Sequence, residues 1–344
     1  MNPNSQPVEG AGEFNLIRRL HGLLNDYASP ELCVDIGDDA AAYRTHGNRV
    51  QVVTTDALIE GYHFDLGFYT MEDIGYKAMA VNVSDIAAMN AKPRFATVAL
   101  AIPGSLLIDQ IECLYGGLRI CADTHGIQIV GGDTTRSPVI MLSVTVIGEV
   151  EERDLVRRSG GKAGDLLCVT GTVGAAALGL HLLRRETESG PGAIKLAEEA
   201  RSHVAHRHLR PEPRTDIVED WKTRGVRPNA MIDISDGLAA DVHQLCAASG
   251  CGAVVRRPAL PVAEEMRIVA QALAADPLTY ALGGGDDYEL LFAASANTCR
   301  TLDPASYTVI GELTAERGLI LLEDADGTVL PLSRAGHDHF ASKD

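Results

Sequence analysis

The chain has 344 residues, and 46% of them are hydrophobic, which is enough for two domains of ordinary size and argues against global disorder. Its formal net charge is −17, from 47 acidic and 30 basic residues, which argues against nucleic acid or an anionic membrane as the main partner. The same charge is compatible with carboxylates that hold metal, although ordinary acidic surface accounts for the larger share of it.

The cysteine pattern predicts a reducing compartment. The chain has seven Cys, an odd number, with no CxxC pair, and several lie in apolar stretches such as residues 166–169. Buried free thiols explain this pattern best. Residues 1–12 are polar and contain no apolar signal segment, and no apolar run is long enough to span a bilayer. We therefore expect a cytoplasmic protein.

The first half of the chain alternates helical and strand patterns. After a loose tail at 1–12, apolar periodicity predicts helices at 13–24, 71–90 and 106–124 and strands at 51–56, 95–102, 127–130 and 139–150. Long alternating strands mixed with helices are typical of an α+β layer. We expect an N-terminal domain over residues 13–150.

The second half, residues 151–344, predicts an α/β domain with helices packed on a mixed sheet. Strands are expected at 166–170, 231–234, 288–293 and 319–322, helices at 175–185 and 238–249, and a Gly/Pro/Ser loop at 186–193. The predicted fold class is thus a two-domain α+β and α/β protein.

Asp recurs where an apolar run meets small residues, which we interpret as strands entering turns. The runs end at Asp38, Asp56, Asp85, Asp133, Asp236 and Asp286. If several of these side chains converge, two like charges about 4 Å apart repel by about 4 kcal/mol at an effective dielectric near 20, so cations must accompany them. Oxygen ligands among Gly and Ser suit Mg²⁺, which usually brings a polyphosphate.

Each candidate also has an ordinary structural explanation. A single Asp beside Gly or Ser more often caps a helix or forms a turn, but capping does not require so many. Thr54 and Thr55 could assist metal binding at Asp56, and Gly131-Gly132 could admit a phosphate or simply form a turn. Arg158 could neutralise a phosphate or lie in a solvated basic turn.

The histidines are weaker candidates. His63 could contact an anionic substrate, although a core or surface role is more common. His203, His206 and His208 lie among Arg201, Arg207 and Arg210, for which a solvated helix end is a better interpretation than a metal site. The chain has no P-loop, protein-kinase signature, GxSxG or HExxH motif.

Two short motifs recur in both halves. Ser84-Asp85 is similar to Ser235-Asp236, and a Gly-Gly-Asp follows each, ending at Asp133 and Asp286. An ancient duplication and one turn chemistry used twice both explain this recurrence.

Taken together, the motifs resemble those of thiamine-monophosphate kinases, in the superfamily of aminoimidazole ribonucleotide synthetase and selenophosphate synthetase. The matching segments occur in family order from residue 12 to about residue 340. They include IGDDAA at 36–41, TTD at 54–56, EGYHF at 60–64, SDIAAM at 84–89, GGDT at 131–134, RSG at 158–160, DISDGL at 233–238 and GGGDDYEL at 283–290.

The resemblance implies transfer of the γ-phosphoryl group of ATP to thiamine phosphate, several Mg²⁺ ions, and a homodimer built by strands of the first half. The implied metal ligands are Asp38, Thr54, Thr55, Asp56, Asp85, Asp133, Asp233 and Asp236. The implied ATP contacts are Gly132, Asp133, Arg158 and Ser235. The implied thiamine phosphate contacts are His63, Asp286 and His337. The family usually has Glu at the position of Asp286 and an aromatic residue at the position of His337.

The implied chemistry needs no general base. The acceptor is a phosphate monoester with a second pKa near 6, so it is largely deprotonated at neutral pH. Catalysis then consists of holding two anions in line while metal cancels their repulsion, and we predict no phosphoenzyme intermediate.

Two alternatives are a selenophosphate synthetase-like enzyme and a non-catalytic nucleotide-binding scaffold. The first needs a reactive residue near the N-terminus, and Cys33 lies in an apolar strand entry instead. The second would have lost the carboxylates, and all of these Asp positions are filled.

Overall fold

Two mixed sheets organise the chain in the computed structural model, which describes residues 13–24, 29–190, 194–334 and 336. The first sheet has six strands in the order β1-β2-β3-β6-β4-β5, and the second has seven in the order β13-β12-β9-β11-β7-β10-β8. The predicted tail at 1–12 and the candidate residue His337 lie outside the described residues.

The first sheet and its helices come from the first half of the chain. Its strands are β1 (Leu32–Val34), β2 (Ala41–Arg44), β3 (Arg49–Ile59), β4 (Lys92–Ile102), β5 (Gln128–Arg136) and β6 (Met141–Glu151). The helices are α1 (Glu13–Leu24), α2 (Met71–Ala88) and α3 (Ile108–His125). β4 and β5 pair in parallel and the other neighbours are antiparallel, so this sheet is mixed, a property that was predicted only for the second half.

The second sheet uses the rest of the chain. Its strands are β7 (Leu166–Thr170), β8 (Ala230–Asp233), β9 (Gly252–Arg256), β10 (Leu290–Ala294), β11 (Tyr307–Thr314), β12 (Ile320–Glu323) and β13 (Val329–Pro331). The helices are α4 (Ala175–Ser189), α5 (Glu198–Leu209), α6 (Thr215–Arg224), α7 (Leu238–Ser249), α8 (Glu264–Ala272), α9 (Pro277–Gly283) and α10 (Ala296–Cys299). Only β9 and β12 pair in parallel among these neighbours.

Helix α2 connects the two halves. Thr70 caps its first turn in a reciprocal capping box with Asp73, and most of its side chains are buried. It packs on the first sheet and on α3, and its C-terminal part also contacts β8 of the second sheet. Its charged and polar side chains are therefore held between the halves.

The predicted elements are present, with shifted ends. Strand β5 continues through Gly131-Gly132-Asp133 to Arg136, where a turn was expected, and α4 continues to Ser189 through residues predicted as loop. The similar Ser-Asp pairs have different local structures, because Ser84-Asp85 lies in α2 and Ser235-Asp236 lies in the loop between β8 and α7. The division near residue 150 stays a proposal, supported by the end of β6 at Glu151 and the start of β7 at Leu166.

The described helices include none that is both long enough and apolar enough to cross a membrane. All seven cysteines are free, and five of them, at positions 121, 168, 246, 251 and 299, are buried.

Candidate active site

Three carboxylates from distant parts of the chain meet where the two halves contact each other. Asp39 precedes β2, Asp85 lies near the end of α2, and Asp233 ends β8. One oxygen of each lies within 4.8 Å of the others, and this is the one such carboxylate, His or Cys group found in the described ranges. The predicted convergence of acidic residues is therefore present.

Neighbouring side chains orient these carboxylates. The buried Thr54 hydroxyl donates to Asp85, and the Ser84 hydroxyl donates to Asp233 Oδ2 at 2.6 Å. Because Ser84 belongs to α2 and Asp233 to β8, this bond joins the two halves at the site. The oxygen positions are thus set by packed elements rather than by loops alone.

Arg158 provides positive charge at the edge of the group. Its guanidinium donates to Asp39 Oδ1 from Nη2 at 2.7 Å and from Nε at 3.2 Å, and its backbone N–H donates to Asp38. The side chain of Asp39 is fully buried, yet its Oδ2 has no hydrogen-bond partner among the described residues. An unpartnered buried carboxylate oxygen beside two other carboxylates is a position that a cation fits.

Burial, and then mutual repulsion, raises the pKa values of carboxylates in and beside the group. Burial and then Asp39 raise the pKa of Asp233 to about 8, and burial followed by Asp56 and Asp233 raises that of Asp85 well above its usual range. Burial and Asp39 also raise the pKa of Asp38 to about 6. Two full charges 4.8 Å apart would repel by about 3 to 4 kcal/mol at an effective dielectric near 20. Ionisation at neutral pH therefore requires a counter-cation, and carboxylate and hydroxyl oxygens are the ligands Mg²⁺ prefers.

Asp56 and Asp236 flank the group. The backbone N–H of Asp56 donates to the buried Asn82 Oδ1 at 3.0 Å, and its carboxylate is close enough to raise the pKa of Asp85. Asp236 accepts a hydrogen bond from Gln244 Nε2 at 3.3 Å. Burial, and then repulsion from Asp236 and Asp233, raises the pKa of the buried Asp241 well above its usual range. Both candidates border the same acidic region.

Three candidates lie elsewhere. The Thr55 hydroxyl bonds Ser143 and the Val144 carbonyl in β6, so its side chain is directed away from the Thr54 face of the sheet. Gly132 and Asp133 lie inside the exposed edge strand β5, and no described contact joins them to the acidic group. Asp56 and Asp133 were expected at strand ends but lie inside β3 and β5, because a long strand shows the same apolar run before Asp, whereas Asp85 lies in α2, within the helix predicted at 71–90.

His63 has a defined tautomer. Its Nδ1 accepts the backbone N–H of Ile59 at 3.0 Å, which requires a lone pair on Nδ1 and places the ring proton of the neutral form on Nε2. The Nε2–H is then a donor suited to an anionic group. This arrangement is compatible with the predicted substrate role.

Asp286 lies in a constrained loop beside the Ser235 segment. Its backbone N–H donates to the Ser235 carbonyl at 2.9 Å, and its φ of +68° lies in the left-handed region. Its carboxylate accepts from Lys77 Nζ at 2.8 Å and from the Tyr288 hydroxyl at 3.0 Å. Burial alone would raise its pKa, but Lys77, His208 and the Tyr288 hydroxyl together outweigh this and lower the pKa to about 2.

The His/Arg segment is only in part a solvated helix end. His208 is buried and its Nε2 lies 2.9 Å from the Tyr69 hydroxyl, while Arg207 is buried and donates to Glu289 at 2.9 Å. Arg210 pairs with Glu72 and Asp73 at the start of α2. The prediction was wrong for Arg207 and Arg210, because Glu289 and Glu72 lie 82 and 138 positions away in the chain, beyond the reach of local sequence patterns. It describes His206, which is exposed.

Comparisons with known proteins identify the family. Residues 37–150 match the family model of the AIR synthase related protein N-terminal domain, and residues 162–324 match that of the C-terminal domain. Thiamine-monophosphate kinase of Salmonella typhimurium is 37% identical over 344 residues, covering 96% of this chain and 99% of the relative. The Bacillus subtilis enzyme is 32% identical over 335 residues, covering 95% and 99%.

The chain belongs to the thiamine-monophosphate kinase family. Among solved structures, AaThiL complexed with AMPPCP and TMP superposes with a TM-score of 0.85 at 32% identity, covering 97% of this chain and 99% of the other. The Stenotrophomonas maltophilia thiamine-monophosphate kinase has a TM-score of 0.70 at 35% identity, covering 90% and 94%. Structures of the hydrogenase maturation protein HypE, near 21% identity, share the fold. Members of the thiamine-monophosphate kinase family are phosphotransferases.

The structure adds two residues that the sequence reasoning missed. Asp39 belongs to the converging group, and the signal for it was its place beside Asp38 in the same motif. Lys77 is buried against Asp286, and the signal was a lone Lys in an otherwise apolar helical stretch that ends at Asp85.

Proposed function

We propose that this chain transfers the γ-phosphoryl group of ATP to thiamine phosphate, giving thiamine diphosphate and ADP. The observation that carries this proposal is the meeting of Asp39, Asp85 and Asp233 between two halves of a kinase-family fold. This family assignment extends over nearly the whole length of the relatives.

The residues that would hold Mg²⁺ are Asp39, Asp85 and Asp233, with Asp38, Asp56 and Asp236 at the border of the group and Thr54 orienting Asp85. Bound there, Mg²⁺ would neutralise the phosphate oxygens and lower the repulsion between donor and acceptor. For Asp133 and Thr55 a metal role stays a prediction. Asp133 would need a partner chain beside it, and Thr55 would have to bind the metal through its backbone carbonyl.

The chain's own groups would position the two anions. Arg158 and the Ser235 segment border the acidic group and would contact ATP. His63 would donate from Nε2 to the acceptor phosphate, and Asp286 would accept hydrogen bonds from the other end of the acceptor. No side chain is required to remove a proton, because the acceptor phosphate is largely ionised at neutral pH.

We extend the proposal to a homodimer formed through the outer face of the first sheet. This face carries small and apolar side chains such as Val53, Ala57 and Ile147, and the edge strand β5 has Val130 exposed by 54%. A long, exposed edge strand is a pairing site that a second copy would cover. Dimerisation would also place Gly132 and Asp133, which lie in this edge strand, against a second copy of the chain.

Replacing Ala99, on the exposed face of β4, with Arg tests the dimer. We expect sedimentation velocity to show a dimer for the unaltered chain and a monomer for Ala99→Arg. A monomeric unaltered chain contradicts the dimer proposal.

The five buried free cysteines support a cytoplasmic location within the same proposal.

The activity test incubates the protein with Mg-ATP and thiamine phosphate and measures thiamine diphosphate by chromatography. We expect equal amounts of thiamine diphosphate and ADP, with no labelled protein when γ-³²P-ATP is used. ADP formation without thiamine diphosphate would refute the acceptor assignment, and a chemically competent protein phosphate would refute direct transfer.

A further inference from the structure

Lys77 is a buried cation that the predicted site does not include. It is 3% exposed, and its Nζ donates to Asp286 Oδ2 at 2.8 Å and to the Tyr69 hydroxyl at 3.1 Å. Burial alone would lower the pKa of Lys77, but Asp286 and Tyr69 together outweigh it and raise the pKa above its usual range. Lys77 and Asp286 therefore form a charged pair across the two halves of the chain.

Helix α2 sets the spacing between this pair and the acidic group. Lys77, Val81 and Asp85 are four residues apart in turn, so they share one face of the helix. At 1.5 Å per residue, Lys77 and Asp85 are separated by roughly 12 Å along the axis. Through Lys77, the Asp286 carboxylate is thus held at a fixed distance from the carboxylates that would hold the metal for the phosphates.

The groups around Lys77 leave its charge to Asp286 alone. Burial and then Lys77 lower the pKa of His208 to about 3, so His208 is neutral and its 3.5 Å approach to Asp286 is not an ion pair. His208 instead shares a hydrogen bond with the Tyr69 hydroxyl. The Asp286 side chain is 34% exposed, so part of the carboxylate faces outward.

The backbone of the Asp286 loop is constrained as well. Asp286 and Tyr288 have φ values of +68° and +51°, which are uncommon for residues with side chains. Asp287, between them, is buried and accepts the backbone N–H of Gly174 at 2.6 Å. The strained loop and the ion pair together present one carboxylate edge in one orientation.

We propose that Lys77 is a positioning residue that orients the Asp286 carboxylate to accept hydrogen bonds from the end of the acceptor remote from its phosphate. This inference rests on the proposed function and deepens it. Because the Lys77–Asp286 pair has no net charge, it selects a neutral ring with N–H donors. The aminopyrimidine of thiamine phosphate is such a ring.

The test compares Lys77→Met, Lys77→Arg, Asp286→Asn and the Lys77→Met/Asp286→Asn double variant with the unaltered enzyme. For Lys77→Met we expect KM for thiamine phosphate to rise about 10- to 100-fold, with kcat and KM for Mg-ATP changing by less than about threefold. Lys77→Arg keeps the cation and should recover part of the loss. The KM of the double variant for thiamine phosphate should be no higher than that of the poorer single variant. The reason is that Lys77 and Asp286 act as one pair, which either substitution already disrupts.

Oxythiamine phosphate, which has an oxo group in place of the ring amine, gives a readout that loss of structure would not produce. The unaltered enzyme should prefer thiamine phosphate by about tenfold or more in kcat/KM, and Lys77→Met should reduce this preference to less than about threefold. An unchanged preference, additive effects, or an equal rise in KM for ATP would overturn the inference.

Outcomes for folding and for function are separable. If Lys77→Met does not fold, the double variant, which removes the unpaired carboxylate, replaces it and is compared with Asp286→Asn alone. Equal preferences for thiamine phosphate over oxythiamine phosphate in Asp286→Asn and the unaltered enzyme overturn the inference. If thiamine phosphate binds with AMPPCP but no product forms, the proposed function fails, and dissociation constants replace KM in the same comparison. Absence of thiamine phosphate binding by the unaltered enzyme overturns both.

Discussion

Asp85 is half-buried, repelled by three other carboxylates and held by Thr54. Such a side chain is unfavourable for the metal-free protein and useful when a cation binds. Residues of this kind combine a cost in stability with a functional role.

Asp85→Asn should therefore separate activity from stability. We expect kcat to fall about a thousandfold or more, since each 1.36 kcal/mol of lost transition-state stabilisation costs a factor of ten and a metal supplies several. The metal-free variant should be at least as stable as the unaltered protein, because one repelled charge is gone. Kinetics and thermal unfolding measure the two effects.

Asp123→Asn is the matched control, because Asp123 is an exposed carboxylate on α3 that pairs with Arg119 only one turn away. Its activity and stability should stay close to those of the unaltered protein. Full activity in Asp85→Asn would remove the metal role of Asp85.

Most of the candidate site could be predicted from short motifs, and its errors have physical causes. Asp233 and Asp286 were identifiable because Gly and Ser mark their loops. Asp39 was missed because Asp38 beside it satisfies the same pattern. Lys77 and His208 acquire their roles only through contacts more than 100 positions apart, which no local pattern contains.

At the level of elements, the close contact of α2 with α3 places Asp85 and Lys77. A Cβ atom added at Gly117 would lie 1.9 Å from the Glu72 carbonyl oxygen in α2. The neighbouring Gly116 has no atom within 4 Å of such a Cβ. Two adjacent glycines of one helix thus differ only in what they face.

Gly117→Ala should destabilise the protein by about 1 to 3 kcal/mol, because the added methyl group forces the two helix backbones apart. Gly116→Ala should instead stabilise it by up to about 1 kcal/mol, the helix propensity gained on replacing Gly. Denaturant unfolding measures both. Equal effects of the two substitutions would show that the α2–α3 contact does not position α2.

Strand ends were harder to predict than strands. The pattern at 127–130 located β5, but Gly131-Gly132 was interpreted as a turn, whereas the strand continues to Arg136 at the sheet edge. An edge strand needs no large side chains on either face, so its Gly-rich half has no apolar alternation to reveal it.

For the whole molecule, the acidic group links metal binding to pH. The folded-state pKa of Asp233, about 8, lies above the ordinary value near 4. The group therefore contributes stability below about pH 4, and this contribution is lost as the pH rises through 8. A bound divalent cation replaces the proton and should restore the lost stability.

The stabilisation by Mg²⁺ should accordingly grow by about 1 to 2 kcal/mol between pH 6 and pH 8. Thermal unfolding at fixed ionic strength, with and without Mg²⁺, measures this increment. Asp233→Asn should abolish its pH dependence. An increment that falls with pH would contradict competition between metal and proton at this site.

The two-domain fold itself was predictable, because long runs with clear periodicity and the family motifs cover both halves. The meeting of the halves was not, since it depends on α2 packing against both sheets.

The central claim is that carboxylates from both halves hold divalent cations at their contact, and anomalous scattering tests it most directly. Crystals grown with Mn²⁺, AMPPCP and thiamine phosphate should show Mn²⁺ peaks within about 2.5 Å of oxygens of Asp85 and Asp233. These peaks should lie between the AMPPCP γ-phosphate and the acceptor phosphate. Mn²⁺ bound elsewhere, with both ligands in place and the carboxylates empty, would contradict the account.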